Sequence, residues 1–197
     1  IVLFRQGLRQ ATACRQALLR AGYALDVSVN APAAALTDPR YAETAAAVLT
    51  NNACPAEALL FEILESPIGT EHTAPAGMAG MQALKALGVR LVEDDLGAGY
   101  STLIRLRQWP FDRVKIDQAI VRQIGDDPLP TLRFIRQLIR LGHDLGLEVV
   151  VEGLETPGSV EAALILGADL GQGYVLARPM PGDALAEYVV LGELSLD

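Results

Sequence analysis

Four stretches set acids inside apolar sequence: FEIL carries Glu62, VEDDLG carries Asp94 and Asp95, KID carries Asp117, and VVVEGLE carries Glu152 and Glu155. An ionised carboxylate in such a run is penalised by desolvation unless it is paired or binds a metal. Where several of them converge, each raises the pKa of the others, and divalent cations relieve that repulsion. Oxygen and amide donors without clustered Cys or His suit Mg²⁺ or Mn²⁺ before zinc. The acids are read as a set, because any one of them alone has an ordinary structural explanation.

The individual positions leave two uses open. The adjacent pair Asp94-Asp95 either supplies a carboxylate bridging two ions about 4 Å apart or caps backbone donors of the Gly-rich turn behind it. Lys115 precedes Asp117 by two positions, so on a strand both side chains share a face. It forms a plain salt bridge there, or holds water in line for attack on phosphorus. Glu152 and Glu155 flank Gly153, one on a strand and one in the loop. Gln172, ahead of Gly173-Tyr174, has an amide suited to orienting substrate or water, or to satisfying the backbone of the last strand.

Positioning these groups takes a regular scaffold. Apolar periodicity predicts helices over residues 6–21, 40–50, 75–87, 130–145 and 157–166, with a short one around Leu103, Leu106 and Trp109 and a last one after Pro181. Between them YALDVSVN, ALLFEIL, VRLVEDD, DRVKID, LEVVVEG and GQGYVLA read as strands, with Gly22, Pro55, Gly88, Pro110 and Gly146 as punctuation. Apolar strands alternating with helices indicate a parallel α/β sheet. Asn30, Glu62, Asp94, Asp117, Glu152 and Gln172 fall near the carboxyl ends of successive strands, at intervals of 32, 32, 23, 35 and 20 residues. A closed barrel brings such ends into one ring. Six strands are counted, two fewer than a complete eightfold barrel.

Composition narrows the partners. The 197 residues are 51% hydrophobic and carry a formal net charge of -8, enough apolar content for one core and the wrong sign for wrapping a DNA or RNA duplex. Cys14 and Cys54 have no metal-site or disulfide-framework spacing and are expected as small buried side chains of a reducing compartment. No apolar run approaches the ~20 residues needed to cross a bilayer, so a cytoplasmic domain without membrane contact of its own is expected.

VSVN, FEILES, EDDLGAGYSTL, FDRVKID, VVVEGLET and GQGYVLARPMP together resemble the EAL domain family, cyclic di-GMP phosphodiesterases, from about residue 5 to about residue 190. The resemblance implies a modified TIM (β/α)₈ barrel that cleaves cyclic di-GMP to linear pGpG with two Mg²⁺ or Mn²⁺ ions. By the same resemblance Asn30, Glu62, Asp94, Asp95, Asp117 and Glu152 are metal ligands. Lys115 positions or activates the attacking water, and Asp117, Glu152 and Gln172 belong to the water and substrate network. Glu65 and Glu155 brace the loop after Asp95. A homodimer and a fused sensory or GGDEF-type domain in the parent protein are further expectations.

Departures from the family pattern qualify this reading. The family's signature strand, with a metal-binding Glu, precedes the Asn-bearing strand, yet only 29 residues precede Asn30 and they read as a short lead-in plus a helix. The domain is therefore expected to be a single barrel over residues 1–197 lacking that first strand. The literal Glu57-Ala58-Leu59 lies after Asn30 and is expected to be a solvated lead-in to the Glu62 strand. Leu64, Leu96 and Ala98 replace residues usual around a dimer-forming loop. Glu93 faces opposite to Asp94 and is expected on a solvated or salt-bridged face. Hydrolysis is thus expected of the complete parent, with a non-catalytic cyclic di-GMP receptor or protein-interaction module as the alternative. An acid-rich Mg²⁺ barrel acting on a small carboxylate fits the acids alone but not the combined motifs.

Overall fold

A computed structural model of the chain describes residues 1–63, 74–97 and 103–194. Among these described residues, six parallel strands run in chain order across one curled sheet, a half-barrel: β1 (Val27–Ala31), β2 (Leu59–Ile63), β3 (Arg90–Leu96), β4 (Arg113–Ile116), β5 (Glu148–Val151) and β6 (Leu170–Gly171). The strand order never reverses. A doubly wound sheet must reverse at a switch point, so the sequential order selects the barrel-type winding.

Helices cover the convex side. They are α1 (Val2–Arg20), α2 (Arg40–Asn51), α3 (Ala74–Ala86), α4 (Leu103–Gln108), α5 (Gln118–Arg122), α6 (Pro128–Asp144), α7 (Pro157–Leu166) and α8 (Gly182–Leu194). Strand alternation sorts the side chains. Leu59, Phe61, Ile63, Leu91, Val114, Ile116, Val149 and Val151 face the helices and join Leu8, Leu84, Ile135 and Ile139 in one core. Burying a side chain such as Phe61 contributes about 2–3 kcal/mol. The intervening positions, among them Glu62, Asp94, Lys115 and Glu152, fall on the concave side.

Three expectations need correction. The lead-in before residue 6 is helical: α1 opens at Val2, because Phe4 extends the buried stripe Phe4, Leu8, Thr12, Arg15 and Leu18. Phe4 packs its ring 4.9 Å from Tyr41 and 5.6 Å from Phe61, tying α1 to α2 and β2. The last strand is only Leu170–Gly171 and not GQGYVLA, because the chain turns after Gln172. A Cβ on Gly173 would lie 2.1 Å from the Leu154 carbonyl oxygen, and the Val175 N–H donates to that same oxygen at 3.1 Å. Cys54 is buried as expected but Cys14 is half-buried, its Sγ 3.6 Å from the Gly182 carbonyl oxygen, and both are free thiols.

The two ends of the sheet differ in chemistry. At the amino ends, ion pairs and side-chain caps act as structural ties. Asp112, just before β4, accepts from the Leu91 N–H at 2.7 Å and from Lys85 at 2.6 Å. Asp169, just before β6, accepts from the Val149 N–H at 2.7 Å, with His143 Nε2 at 2.9 Å. Burial works against ionisation of Asp169, but the Val149 N–H and His143 outweigh it and hold the carboxyl below the ordinary value. Asp169→Ala is expected to lower stability at pH 7 by about 1 kcal/mol, the low figure reflecting partial exposure. With the folded pKa depressed, this contribution is present above the ordinary carboxylate range and disappears as pH falls through the depressed value. Denaturant titrations at pH 7 and in mild acid check both parts.

Among the described residues, no helix is long and apolar enough to cross a membrane.

Candidate functional site

The carboxyl ends of the strands gather the predicted acids around one lysine. Lys115 on β4 reaches Glu152 Oε1 at 2.6 Å, Asp94 Oδ1 at 3.0 Å and Glu62 Oε2 at 3.1 Å, acids from β5, β3 and β2. Its side chain is only 7% exposed. Burial by itself would favour the neutral amine, but the Glu152 hydrogen bond, the Glu62 charge and the Asp94 hydrogen bond outweigh it and keep Lys115 protonated well above the usual lysine range. Glu62 is held from the other side by the Ser28 hydroxyl, which donates to Oε1 at 2.6 Å. One hydrogen-bonded chain therefore runs from β1 to β5.

Asp94 and Asp95 reach this ring together through a backbone irregularity. Glu93 pairs with Val114 and Leu96 with Ile116, so Asp94 and Asp95 oppose Lys115 alone. This is a β-bulge, which kinks a strand and re-aims its side chains. Asp95 takes φ +60°, in the left-handed region that Asp tolerates better than most residues. Consecutive residues of a regular strand face opposite ways; here one oxygen from each of Asp94, Asp95 and Glu152 lies within 4.8 Å of the others.

Electrostatics set these acids apart from ordinary surface carboxylates. Burial, a hydrogen bond with Asp117 and the charges of Asp94, Asp117 and Glu152 push Asp95 up to about 6. Burial also raises Glu152, aided by Asp94 and Glu62 and opposed by Lys115. Asp117 caps α5 by accepting from the Ala119 N–H, as well as facing Asp95. Three converging carboxylates, of which Asp95 and Glu152 resist ionisation, form an all-oxygen donor set for a divalent cation. Asp94, Asp95 and Glu152 fit such an ion.

In metal-free protein, a ¹³C carboxyl titration is expected to show Asp95 changing protonation at about 6, with a lower midpoint in Asp117→Asn. Because the folded value exceeds the ordinary 3.8, this group's contribution to stability is full in acid and is lost as pH rises through about 6.

The remaining predicted residues are placed as follows. Asn30 is the register partner of Glu62 on β1 and shares its face. Gln172 lies just past β6, exposed, and lines a cavity of about 550 Å³ with Glu152, Glu155, Tyr174 and Arg178. Glu155 is exposed and pairs with Arg122 of α5 at 3.2 Å. Glu65, Leu64 and Ala98 lie outside the described residues. Glu57 is exposed, in the 3-10 turn before β2, and does not join the ring. Glu93 is salt-bridged as expected but not solvated: it is fully buried against Arg105 at 2.9 Å.

Sequence reasoning did not single out Ser28 or Arg178. Ser28 precedes Asn30 by two positions and so shares its face, which is the signal that was available. Arg178, whose guanidinium carbon lies 4.8 Å from the Tyr174 ring centroid, sits inside the ARPMP string of the family resemblance.

A half-barrel with an acid ring at the carboxyl ends of its strands defines a (β/α) barrel with a candidate metal centre. The chain belongs to the EAL domain family, whose pattern its residues 2–179 match. It is 33% identical over 187 residues to the cyclic di-GMP phosphodiesterase RocR of Pseudomonas aeruginosa, an alignment covering 94% of this chain and 47% of RocR. Among solved structures, the EAL domain of Mycobacterium smegmatis DcpA superimposes with a TM-score of 0.84 at 26% identity, covering 95% of this chain and 82% of that one. The PaMucR phosphodiesterase in complex with c-di-GMP superimposes with a TM-score of 0.82 at 29% identity, covering 90% and 71%. The chain thus spans about half the length of RocR.

Proposed function

We propose that this barrel hydrolyses cyclic di-GMP to linear pGpG within its parent protein. The observation that carries the proposal is the single lysine bonded to acids from three strands, beside the converging Asp94, Asp95 and Glu152. Similarity to RocR and to a nucleotide-bound phosphodiesterase supports the choice of substrate.

Asp94, Asp95 and Glu152 would hold one Mg²⁺ or Mn²⁺, with Asn30, Glu62 and Asp117 completing the donor set for two ions. When bound, such ions polarise the phosphodiester and lower the pKa of water. The chain's own residues do the rest. Lys115 Nζ places positive charge where the transition state gathers negative charge and orients the attacking water. Glu152 and Asp117 accept hydrogen bonds from that water, and the Gln172 amide orients it against the substrate. The cavity lined by Gln172, Tyr174 and Arg178 takes the nucleotide. Glu155 would brace the site from the α5 side through its pair with Arg122.

A second reading keeps the ring without the reaction: Glu57 of the literal Glu-Ala-Leu string stands outside the ring, and a ring that binds nucleotide without cleaving it is a receptor or protein-interaction module. A homodimer and a fused sensory or GGDEF-type domain remain part of the proposal for the parent. Chromatography of the intact protein with cyclic di-GMP and Mg²⁺ or Mn²⁺ tests both readings. Formation of pGpG supports the phosphodiesterase, binding without cleavage supports the receptor, and absence of both overturns the substrate.

A further inference from the structure

The buried pair on the back of β3 extends the role of the site beyond its own acids. Glu93 is the last regularly paired residue before the bulge, is fully buried, and points away from the ring into the space under α4. Arg105 of α4 meets it at 2.9 Å and is itself 7% exposed. The guanidinium carbon of Arg105 lies 4.5 Å from the Trp109 ring centroid and 5.9 Å from that of Phe111, and the two rings stack 6.2 Å apart. One residue further, Asp112 exchanges two hydrogen bonds with Leu91: its N–H donates to the Leu91 carbonyl at 2.9 Å and its Oδ2 accepts from the Leu91 N–H at 2.7 Å.

The segment from α4 to β4 is therefore fastened to β3 at Leu91 and Glu93, while Asp94 and Asp95 immediately beyond are turned into the ring. At six residues, α4 is too short to be stable alone. Its anchor is the charged and aromatic stack. The pair therefore ties α4 to the β3 position directly before both bulged acids.

We propose that the Glu93–Arg105 pair is a positioning device that fixes the bulge of β3 and thereby the divalent-cation affinity of Asp94 and Asp95. The proposal rests on the metal-binding reading of those acids. The pair acts on the ring acids through the backbone of β3, where Glu93 directly precedes them. A pair with a structural role alone has a different consequence. A buried ion pair exchanged for apolar side chains of similar volume generally leaves stability unchanged or raised, and a purely structural pair would then leave the cation site unaltered.

The test uses the intact protein and the double variant Glu93→Leu/Arg105→Met, with Mn²⁺ as the probe. Calorimetry is expected to show a Mn²⁺ Kd raised about tenfold, the scale of a lost indirect support. Amide exchange of metal-free protein is expected to rise roughly tenfold over residues 92–97 while residues 148–151 keep their wild-type protection. Unchanged affinity and unchanged local exchange in a folded double variant overturn the proposal. If the double variant does not fold, Arg105→Lys decides: it keeps the charge and loses the planar fork and ring stacking. A raised Kd with faster exchange at 92–97 then supports the proposal, and wild-type behaviour in both overturns it. If wild-type protein fails to bind Mn²⁺, the metal reading fails, and exchange at 92–97 alone still decides whether the pair holds the bulge.

Discussion

Lys115→Met is expected to destabilise the metal-free protein by about 3 kcal/mol and to lower turnover of cyclic di-GMP by about 10²–10³-fold. The stability loss follows from the bonding. One ammonium group lies within 3.1 Å of Glu62, Asp94 and Glu152, so its removal strands three acids on a largely enclosed face. On the proposed reaction the turnover loss follows from position, because the same charge would face the place where phosphoryl oxygens gain negative charge. The two effects separate under metal. A divalent cation supplies part of the missing positive charge, so Mn²⁺ is expected to raise the melting temperature more in Lys115→Met than in wild type. Turnover should stay low, since the ion does not replace the ammonium hydrogen bonds. Melting curves in chelator and in Mn²⁺, with pGpG measured in parallel, check this. A variant that melts like wild type in chelator would show that Lys115 is not the ring's internal counter-ion.

Asp94→Asn is expected to behave oppositely in stability while losing as much in chemistry. Asp94 contributes repulsion to both Asp95 and Glu152. Neutralising it relieves both, and Lys115 keeps Glu62 and Glu152 as partners. Metal-free stability should be unchanged or raised, and the Asp95 titration should move down from about 6. Loss of a direct donor, by contrast, is expected to weaken Mn²⁺ binding at least 100-fold, beyond the roughly 10–100-fold typical of outer partners. Calorimetric Mn²⁺ titration and thermal melting measure the two quantities. A metal affinity near wild type would remove Asp94 from the donor set.

Much of this architecture is legible in the sequence. Apolar runs such as LEVVV and FEIL, separated by Gly and Pro, mark strands whatever their neighbours are. A polar residue at each carboxyl end marks the ring because the interval between them is one strand-helix unit. The bulge is less legible: alternation alone would send Asp94 and Asp95 to opposite faces, and only the φ of Asp95 and the register with β4 bring them together. Alternation likewise turned Glu93 away from the ring but did not reveal that α4 covers it. Ring chemistry spread over strands distant in sequence, such as Ser28 on Glu62 or Lys115 on three acids, depends on register that no single stretch encodes. The composition of GQGYVLA predicts a longer last strand than Leu170–Gly171, because composition does not show the close approach of Gly173 to Leu154 that turns the chain.

Asp94, Asp95 and Glu152 are proposed as a divalent-cation site beside Lys115 at the carboxyl ends of the strands. Anomalous diffraction from crystals of the protein grown with Mn²⁺ tests it most directly. The expected result is a peak within roughly 2–2.5 Å of carboxylate oxygens from these three residues, absent in Asp94→Asn. Mn²⁺ bound only elsewhere on the molecule, or a peak that survives in Asp94→Asn, would contradict it.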